Sequence, residues 1–256
     1  MKSKYILALS GNDIFSGGGL HADLTTYAVN GFHGFVAVTC LAAVTDNGFE
    51  VFATDNHLFR HQLTSLEKVP FSGIKLGLLP NVAIAEQALD FVKAHPDIPI
   101  VLDPVLVCKE SHDVEVSALR EQLLNFFPHV TLITPNLVEA ELLSQRKIQS
   151  LDDMKIAAQT LFDLGAKHVV IKGGNRLDSA RALDLFYDGK EFVVLENPVL
   201  KGNNIGAGCT FASSIISRLV AGESPKQAVA TAKSFVFQAI QQSDDYGVIQ
   251  FETRNN

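Results

Sequence analysis

The chain has 256 residues, of which 47% are hydrophobic and 19% charged, a composition that is typical of a globular protein and excludes a disordered chain. Acidic residues outnumber basic residues by 28 to 21, and the net charge of −7 argues against a general nucleic-acid binder, which needs a basic surface. Three cysteines cannot build a disulfide scaffold, and no apolar run approaches the roughly 18 residues of a membrane helix, so we expect a soluble, cytoplasmic protein.

Short apolar runs alternate with amphipathic segments along the first two thirds of the chain. The predicted strands cover residues 5–9, 35–39, 74–79, 98–102, 130–134 and 168–171. The predicted helices cover residues 22–29, 58–66, 83–92, 117–127, 137–143 and 151–164. Runs such as Val169-Val170-Ile171 lack the alternation of a half-exposed strand, so they are expected to be buried on both faces. This order predicts a mainly parallel sheet with helices on both faces.

The pattern changes near residue 182. Residues 182–187 and 191–195 flank Asp188-Gly189, a pair that favours a tight turn and therefore predicts a hairpin. Two further helices are predicted over residues 209–220 and 226–241. With no internal repeat and no linker in the sequence, we expect residues 1–256 to form a single domain.

A second hairpin signal lies in residues 41–56, where Asn47-Gly48 stands between β-prone residues. One interpretation is a simple surface hairpin. The other is a flap over the carboxyl edge of the sheet, where open α/β sheets bind their ligands.

Three consecutive glycines, Gly17-Gly18-Gly19, follow the first strand. They match a dinucleotide fingerprint but begin too far beyond the strand to form its turn, so we interpret them as a loop whose backbone approaches a ligand. Asp23, one turn into the next helix, either receives a polar edge of that ligand or is a solvated acid stabilised by the helix dipole.

A sharper signal is the small-residue stretch that runs from Asn204 into an apolar helix. Backbone N–H groups of Gly206, Ala207 and Gly208 are expected to converge on an anion at the positive end of that helix. Cys209 stands in the first turn, where the helix dipole lowers the pKa of a thiol. It is therefore either a base for a hydroxyl that attacks a phosphoryl group or a small core residue.

Five stretches in the same order resemble the ribokinase-like superfamily and, within it, the hydroxymethylpyrimidine (phosphate) kinase family. They are Ala22-Asp23-Leu24, Val101-Leu102-Asp103-Pro104-Val105, Ile133-Thr134-Pro135-Asn136-Leu137-Val138-Glu139-Ala140, Ile171-Lys172-Gly173-Gly174 and Gly206-Ala207-Gly208-Cys209-Thr210. The resemblance implies a ribokinase-like α/β fold with a small β lid, here the hairpin around residues 41–56. It also implies a kinase that uses ATP and Mg²⁺, and it leaves a requirement for K⁺ open.

The resemblance further implies roles for individual residues. Cys209 would be the catalytic base, and Gly206, Ala207 and Gly208 would form the anion hole for the transferring phosphoryl group. Glu139 and Asp103 would serve the metal, Asp103 by ordering a Mg²⁺-bound water. The nucleotide phosphates would be bound by Asn136, Lys172, Thr134 and Gly173.

The substrate is expected to contact Cys108, Asp23, Asn12 and Gly19. A second cysteine at position 108, followed by Lys109, resembles the dual-cysteine pyridoxal kinases. A thiol near the substrate ring can add reversibly to the aldehyde of pyridoxal, and the alternative is a neutral loop cysteine. We therefore expect phosphorylation of the 5′-hydroxymethyl group of pyridoxal and related vitamers. Hydroxymethylpyrimidine or its phosphate is the alternative substrate.

Two further expectations follow from the resemblance. Ile205 stands where the family carries histidine or a small polar residue, and it is the sole feature that favours a catalytically weak vitamer-binding protein. Related kinases often dimerise through the lid, so we expect a homodimer that binds a small-molecule substrate and ATP, and neither nucleic acid nor a membrane.

Overall fold

The computed structural model describes residues 4–106 and 113–251, and within these residues nine strands form one sheet. The strands are β1 (Tyr5–Asn12), β2 (His33–Thr45), β3 (Gly48–Ala53), β4 (Phe71–Leu76), β5 (Ile100–Leu102), β6 (Leu132–Ile133), β7 (Val169–Gly174), β8 (Arg181–Tyr187) and β9 (Phe192–Pro198). Their order is β3-β2-β1-β4-β5-β6-β7-β8-β9. The six adjacent strands β2, β1, β4, β5, β6 and β7 pair in parallel, whereas β3, β8 and β9 pair with their neighbours in the antiparallel direction. The predicted, mainly parallel sheet is therefore confirmed.

Helices cover both faces of this sheet, as predicted. They are α1 (Gly19–Val29), α2 (Asn56–Leu66), α3 (Val82–Lys93), α4 (Asp113–Leu124), α5 (Leu137–Ser144), α6 (Leu151–Asp163), α7 (Ala207–Ala221) and α8 (Pro225–Gln241). Alternate side chains of β1 pack into two cores on opposite faces of the sheet. Leu7 and Leu9 pack with α2 to α6, whereas Ile6 and Ala8 pack with α1, α7 and α8. In the part of the chain that the structure describes, no helix is long and apolar enough to cross a membrane.

The predicted hairpin of residues 41–56 is a continuation of β2 and not a separate unit. β2 runs on to Thr45, and β3 returns antiparallel from Gly48, with Cys40 opposite Ala53 at its far end. Since Asn12, the last residue of β1, pairs with Leu41, the rest of β2 extends beyond the carboxyl end of β1. The hairpin therefore projects from the edge of the sheet where a flap was expected.

Helices α1 and α7 lie side by side and run in the same direction. The carboxylate of Asp23 accepts from Ser213 Oγ at 2.6 Å, and one to two turns further on Asn30 Oδ1 accepts from Arg218 at 2.6 Å. Both helices therefore begin at the carboxyl edge of the parallel strands.

Candidate active site

The glycine-rich turn before α7 is held in a conformation that requires glycine. Gly206 has φ +81° and ψ −7°, and a Cβ on it would overlap the carbonyl oxygen of Gly17. Its own carbonyl accepts the first helical bond, from Thr210 N at 2.9 Å. The N–H of Ala207, which was expected to bind an anion, donates instead to Asn204 O at 3.1 Å. In this structure Ala207 therefore stabilises the turn and is not available as an anion donor.

Cys209 is the third residue of α7 and is partly buried between the two glycine loops. A Cβ on Gly18 would lie 3.9 Å from its sulfur, and the backbone N–H of Gly19 donates to the sulfur. The preceding residue, Gly208, faces Lys172 of β7, because a Cβ there would lie 3.3 Å from Lys172 Nζ. The thiol thus lies between the loop of Gly18 and Gly19 and the side chain of Lys172.

The pKa of Cys209 differs in direction from the sequence-based expectation. Burial raises the pKa of the Cys209 thiol above its ordinary value, and the charges of Asp23 and Asp103 raise it further. The ammonium of Lys75 lowers the pKa but does not offset these effects. The prediction from the helix dipole is wrong because desolvation of the thiolate outweighs the dipole at this depth.

A lysine–carboxylate pair joins the ends of three neighbouring strands. Lys172 Nζ, from β7, donates to Asp103 Oδ1 at 2.6 Å, and Thr134 Oγ1, after β6, donates to the same oxygen at 2.9 Å. Burial alone would lower the pKa of Lys172, but Asp103 and Glu139 raise it, so the lysine stays charged. The three predicted residues are therefore brought together at the carboxyl edge.

The backbone after Lys172 is also fixed. Gly173 N–H donates to Asp184 Oδ1 at 3.0 Å, and Asp184 in turn pairs with Lys233 of α8 at 2.7 Å. The predicted nucleotide loop is thus anchored to α8.

Asn136 and Glu139 form a reciprocal cap at the start of α5. Asn136 Oδ1 accepts from Glu139 N at 3.0 Å, and Glu139 Oε2 accepts from Asn136 N at 2.7 Å. Glu139 is buried rather than solvated, and burial, together with the charge of Asp103, raises its pKa from 4.5 to about 7 even though Lys172 lowers it. The Asn-x-x-Glu match thus has a capping role in addition to any ligand role.

The residues at this edge fit a magnesium ion that phosphates help to hold. Within residues 4–106 and 113–251, no group of three or more metal-ligating side chains occurs. Mg²⁺ at nucleotide sites, however, usually takes only one or two carboxylates, with phosphates and water completing its shell. Asp103 and Glu139 are near enough for the first to raise the pKa of the second, and a divalent cation would relieve that repulsion.

Two of the predicted substrate residues lie where β1 meets α1. Asn12 Oδ1 is 3.0 Å from His21 Nε2, so His21 orients the amide of Asn12. Gly19 has φ +58°, and a Cβ on it would overlap the carbonyl oxygen of Gly11, so the loop admits only glycine there. The loop backbone closely approaches the end of β1 at Gly11 and, through Gly17, the turn at Gly206. Its approach to a ligand stays a prediction.

Asp23 does not line the site, contrary to expectation. It is fully buried, and its two oxygens accept from Lys75 Nζ at 2.9 and 3.0 Å, with Ser213 as a further donor. It is likewise not the solvated acid of the alternative interpretation. Cys108, the fourth predicted substrate residue, lies outside the described residues.

Sequence reasoning missed Lys75, which is fully buried in β4. A usable signal existed, because a lone lysine between Ile74 and Leu76 interrupts a run expected to be buried. Buried charges need a partner, so the sequence already indicated an acid nearby.

A parallel sheet whose carboxyl edge presents a glycine-started helix with a first-turn thiol, beside a lysine–carboxylate pair, is the arrangement of a small-molecule kinase. The sequence model of the phosphomethylpyrimidine kinase family matches residues 13–253, and the chain belongs to this family.

The similar proteins include kinases named for each of the two candidate substrates. The chain is 37% identical over 247 residues to the pyridoxine kinase of Bacillus subtilis. The aligned region covers 93% of this chain and 90% of the relative. The chain is also 36% identical over 245 residues to the hydroxymethylpyrimidine/phosphomethylpyrimidine kinase of Aquifex aeolicus, covering 94% and 96%. The structure of the Staphylococcus aureus pyridoxal kinase in complex with AMP-PCP and pyridoxal superposes with a TM-score of 0.90, at 35% identity, covering 98% of this chain and 94% of that chain.

Proposed function

We propose that this chain transfers the γ-phosphoryl group of ATP to the 5′-hydroxymethyl group of pyridoxal and related vitamers, and that it acts as a single domain. The observation that carries the proposal is the position of Cys209, between the loop of Gly19 and the Lys172–Asp103 pair. The similarity to a structure with AMP-PCP and pyridoxal bound supports the choice of both substrates.

In the proposed reaction each step falls to a particular group. The thiolate of Cys209 takes the proton of the substrate hydroxyl, whose oxygen forms the new bond to the γ-phosphorus. The bond to the bridging oxygen breaks, and ADP leaves with the electron pair. The backbone N–H groups of Gly206 and Gly208 and the ammonium of Lys172 stabilise the charge on the transferring group.

Asp103 and Glu139 are the residues that would hold Mg²⁺, which neutralises phosphate charge when it is bound. Glu139→Gln is expected to raise the Mg²⁺ concentration for half-maximal rate by about tenfold or more. Because a carboxylate must lose its proton to bind a metal, this concentration should fall as pH rises through about 7 in the wild type, the pKa of Glu139, and depend less on pH in the variant. Mg²⁺ titrations of the rate at pH 6, 7 and 8 measure both effects.

Glu141→Gln is the matched control, because Glu141 lies on the same helix and accepts from Ile148 N away from the site. It should leave the Mg²⁺ titration unchanged. If the Mg²⁺ titrations of Glu139→Gln and the wild type were equal, Glu139 would serve only as a helix cap.

Cys108 offers a test of the substrate itself. Only an aldehyde forms a hemithioacetal with a thiol, so Cys108→Ala should lower kcat/KM for pyridoxal much more than for pyridoxine, which has an alcohol in that place. Mixing the wild-type protein with pyridoxal should also reduce the aldehyde absorbance, and the variant should not. An equal loss for both substrates would show that Cys108 only packs in its loop.

The family match and the Aquifex aeolicus relative favour hydroxymethylpyrimidine, or its phosphate, as a second candidate substrate. Measuring ATP consumption with pyridoxal, pyridoxine and hydroxymethylpyrimidine decides between the candidates. Faster turnover of the pyrimidine would overturn the substrate assignment and leave the kinase assignment standing. Loss of turnover with every acceptor would support a vitamer-binding protein.

The conformation of the loop at Ile205 argues for a working catalyst. Ile205 N–H donates to Asn203 Oδ1 at 3.0 Å and its carbonyl accepts from Val248 N at 3.0 Å. The backbone that presents Gly206 is therefore fixed by bonds that do not depend on the side chain at position 205.

We also propose that the protein is a cytoplasmic homodimer. The hairpin of β2 and β3 leaves the apolar side chains of Leu41, Phe49 and Phe52 about half exposed, a surface that a second copy would cover. Sedimentation of the wild type and of a Phe49→Ser/Phe52→Ser variant would show whether this surface holds two copies together.

A further inference from the structure

Lys75 carries a buried charge that the proposed mechanism leaves unused. Its neighbours Ile74 and Leu76 pack into the core formed with α2 to α6, so the side chain of Lys75 points to the opposite face of the sheet. Gly73 lies on that same face, where a Cβ would come within 2.6 Å of Val220 of α7. Lys75 is therefore enclosed between the sheet, α1 and α7.

The lysine is fixed by contacts to both helices. Its ammonium is 2.9 and 3.0 Å from the two oxygens of Asp23 on α1, and one of these oxygens also accepts from Ser213 Oγ on α7 at 2.6 Å. The Nζ atom lies near the end of β4, because a Cβ on Gly77 would be 2.8 Å from it. Its charge is therefore held at the level of the catalytic edge.

Cys209 lies on the same side of α7 as this network. Ser213 follows Cys209 by four residues, a spacing that places both side chains on one helix face. On α1, Gly19 and Asp23 have the same spacing, and Gly19 N–H donates to the sulfur of Cys209. The thiol is thus one turn from Ser213, towards the start of α7, beside the Lys75–Asp23 pair.

We propose that Lys75 is a positioning residue whose ammonium, held by Asp23 and Ser213 behind α7, stabilises the thiolate of Cys209. The inference rests on the proposed role of Cys209 as the base. It gives Asp23 a role through Lys75, in place of the contact with substrate that its position in the sequence suggested.

The surrounding charges determine what each variant should do. Among the residues that the structure describes, the charged or titratable groups that interact with Cys209 are Asp23 and Tyr27 of α1, Lys75 of β4, Asp103 after β5 and Lys172 of β7. Burial raises the pKa of Cys209 most, Lys75 lowers it, and Asp23 raises it. Removing the charge of Lys75 should therefore raise the pKa of Cys209, and removing the charge of Asp23 should lower it.

The experiment compares Lys75→Met, Asp23→Asn and the double variant with the wild-type protein. The first readout is kcat against pH with pyridoxal and saturating MgATP. The second is the rate at which iodoacetamide alkylates Cys209 between pH 6 and 10, followed on the Cys209 peptide by mass spectrometry. Lys155→Met is the control, because Lys155 pairs with Asp152 on the outer side of α6.

Lys75→Met should move the acidic limb of kcat and the alkylation profile upwards by about one pH unit or more, and Asp23→Asn should move both downwards. The two pH profiles of the double variant should lie between those of the single variants, and the profiles of Lys155→Met should match those of the wild type. A purely structural role predicts lower kcat with unmoved limbs in both variants, and that result would overturn the proposal.

Lys75→Met leaves the carboxylate of Asp23 buried without its partner. Of the three variants, this is therefore the one that is at risk of not folding. The comparison of Asp23→Asn with the double variant avoids that problem, because both lack the carboxylate and they differ only at position 75. The profile of the double variant must then lie at the higher pH; coincident profiles would refute the role of Lys75. Since alkylation needs no substrate, a shift there without kinase activity on any vitamer would sink the proposed function and not this inference.

Discussion

Replacing Cys209 with alanine is expected to lower kcat by at least about 10²-fold while the affinity for ATP stays near that of the wild type. In the proposed reaction the thiol takes the hydroxyl proton, whereas the phosphate contacts expected at Lys172 and Gly208 do not involve its sulfur. Steady-state rates with pyridoxal, together with calorimetric titration of an ATP analogue, measure the two quantities separately.

Cys40→Ala is the matched control, because Cys40 is a buried thiol of β2 that packs against Gly11. It should affect stability and leave turnover per folded molecule unchanged. Near-normal turnover of Cys209→Ala would remove the base assignment, and Lys75 would then lower the pKa of a thiol that the reaction does not use.

Gly206→Ala is expected to lower kcat by about 10² to 10³-fold, the range seen when one donor to a developing anion is lost. A methyl group at position 206 overlaps the carbonyl oxygen of Gly17, and φ +81° is unfavourable for alanine. The turn must therefore shift, and the N–H groups at the start of α7 shift with it. Single-turnover rates show the loss directly.

The other end of α7 supplies the control. Gly222, the cap residue after the helix, has φ +103°, and a Cβ on it meets nothing within 4 Å. Gly222→Ala shares the backbone strain but not the overlap, so it should cost about 1–2 kcal/mol of stability and leave kcat unchanged. Equal kcat losses in the two variants would mean that Gly206 serves the stability of α7 and not its chemistry.

Much of this architecture is visible in the sequence. Strands buried on both faces leave continuous apolar runs, and helices between them leave capping and periodicity signals, so the order of elements is predictable. The turn around Gly206 is equally visible, because small, glycine-rich residues lead there directly into an apolar helix. These features are local, and local sequence determines them.

The errors concern contacts between distant parts of the chain. Asp23 looks like a surface acid of a first turn until Lys75, 52 residues later, occupies the space beside it. For Cys209 the helix dipole can be inferred from position in the chain, but the burial that reverses its effect on the thiol depends on α1, β4 and the loop of Gly19. Desolvation is a property of the packed molecule, and no short stretch of sequence reveals it.

The position of α7 in the chain has a consequence for biosynthesis. This helix covers Ile6, Ala8 and Val101 on one face of the sheet, yet it begins only at Ala207. Its bond to α1 joins residues 190 positions apart, and loops of that length close slowly. During translation the strands are therefore made long before their cover, and one apolar face stays open to water and to neighbouring nascent chains. We therefore expect productive folding to require that this face is shielded until α7 has left the ribosome.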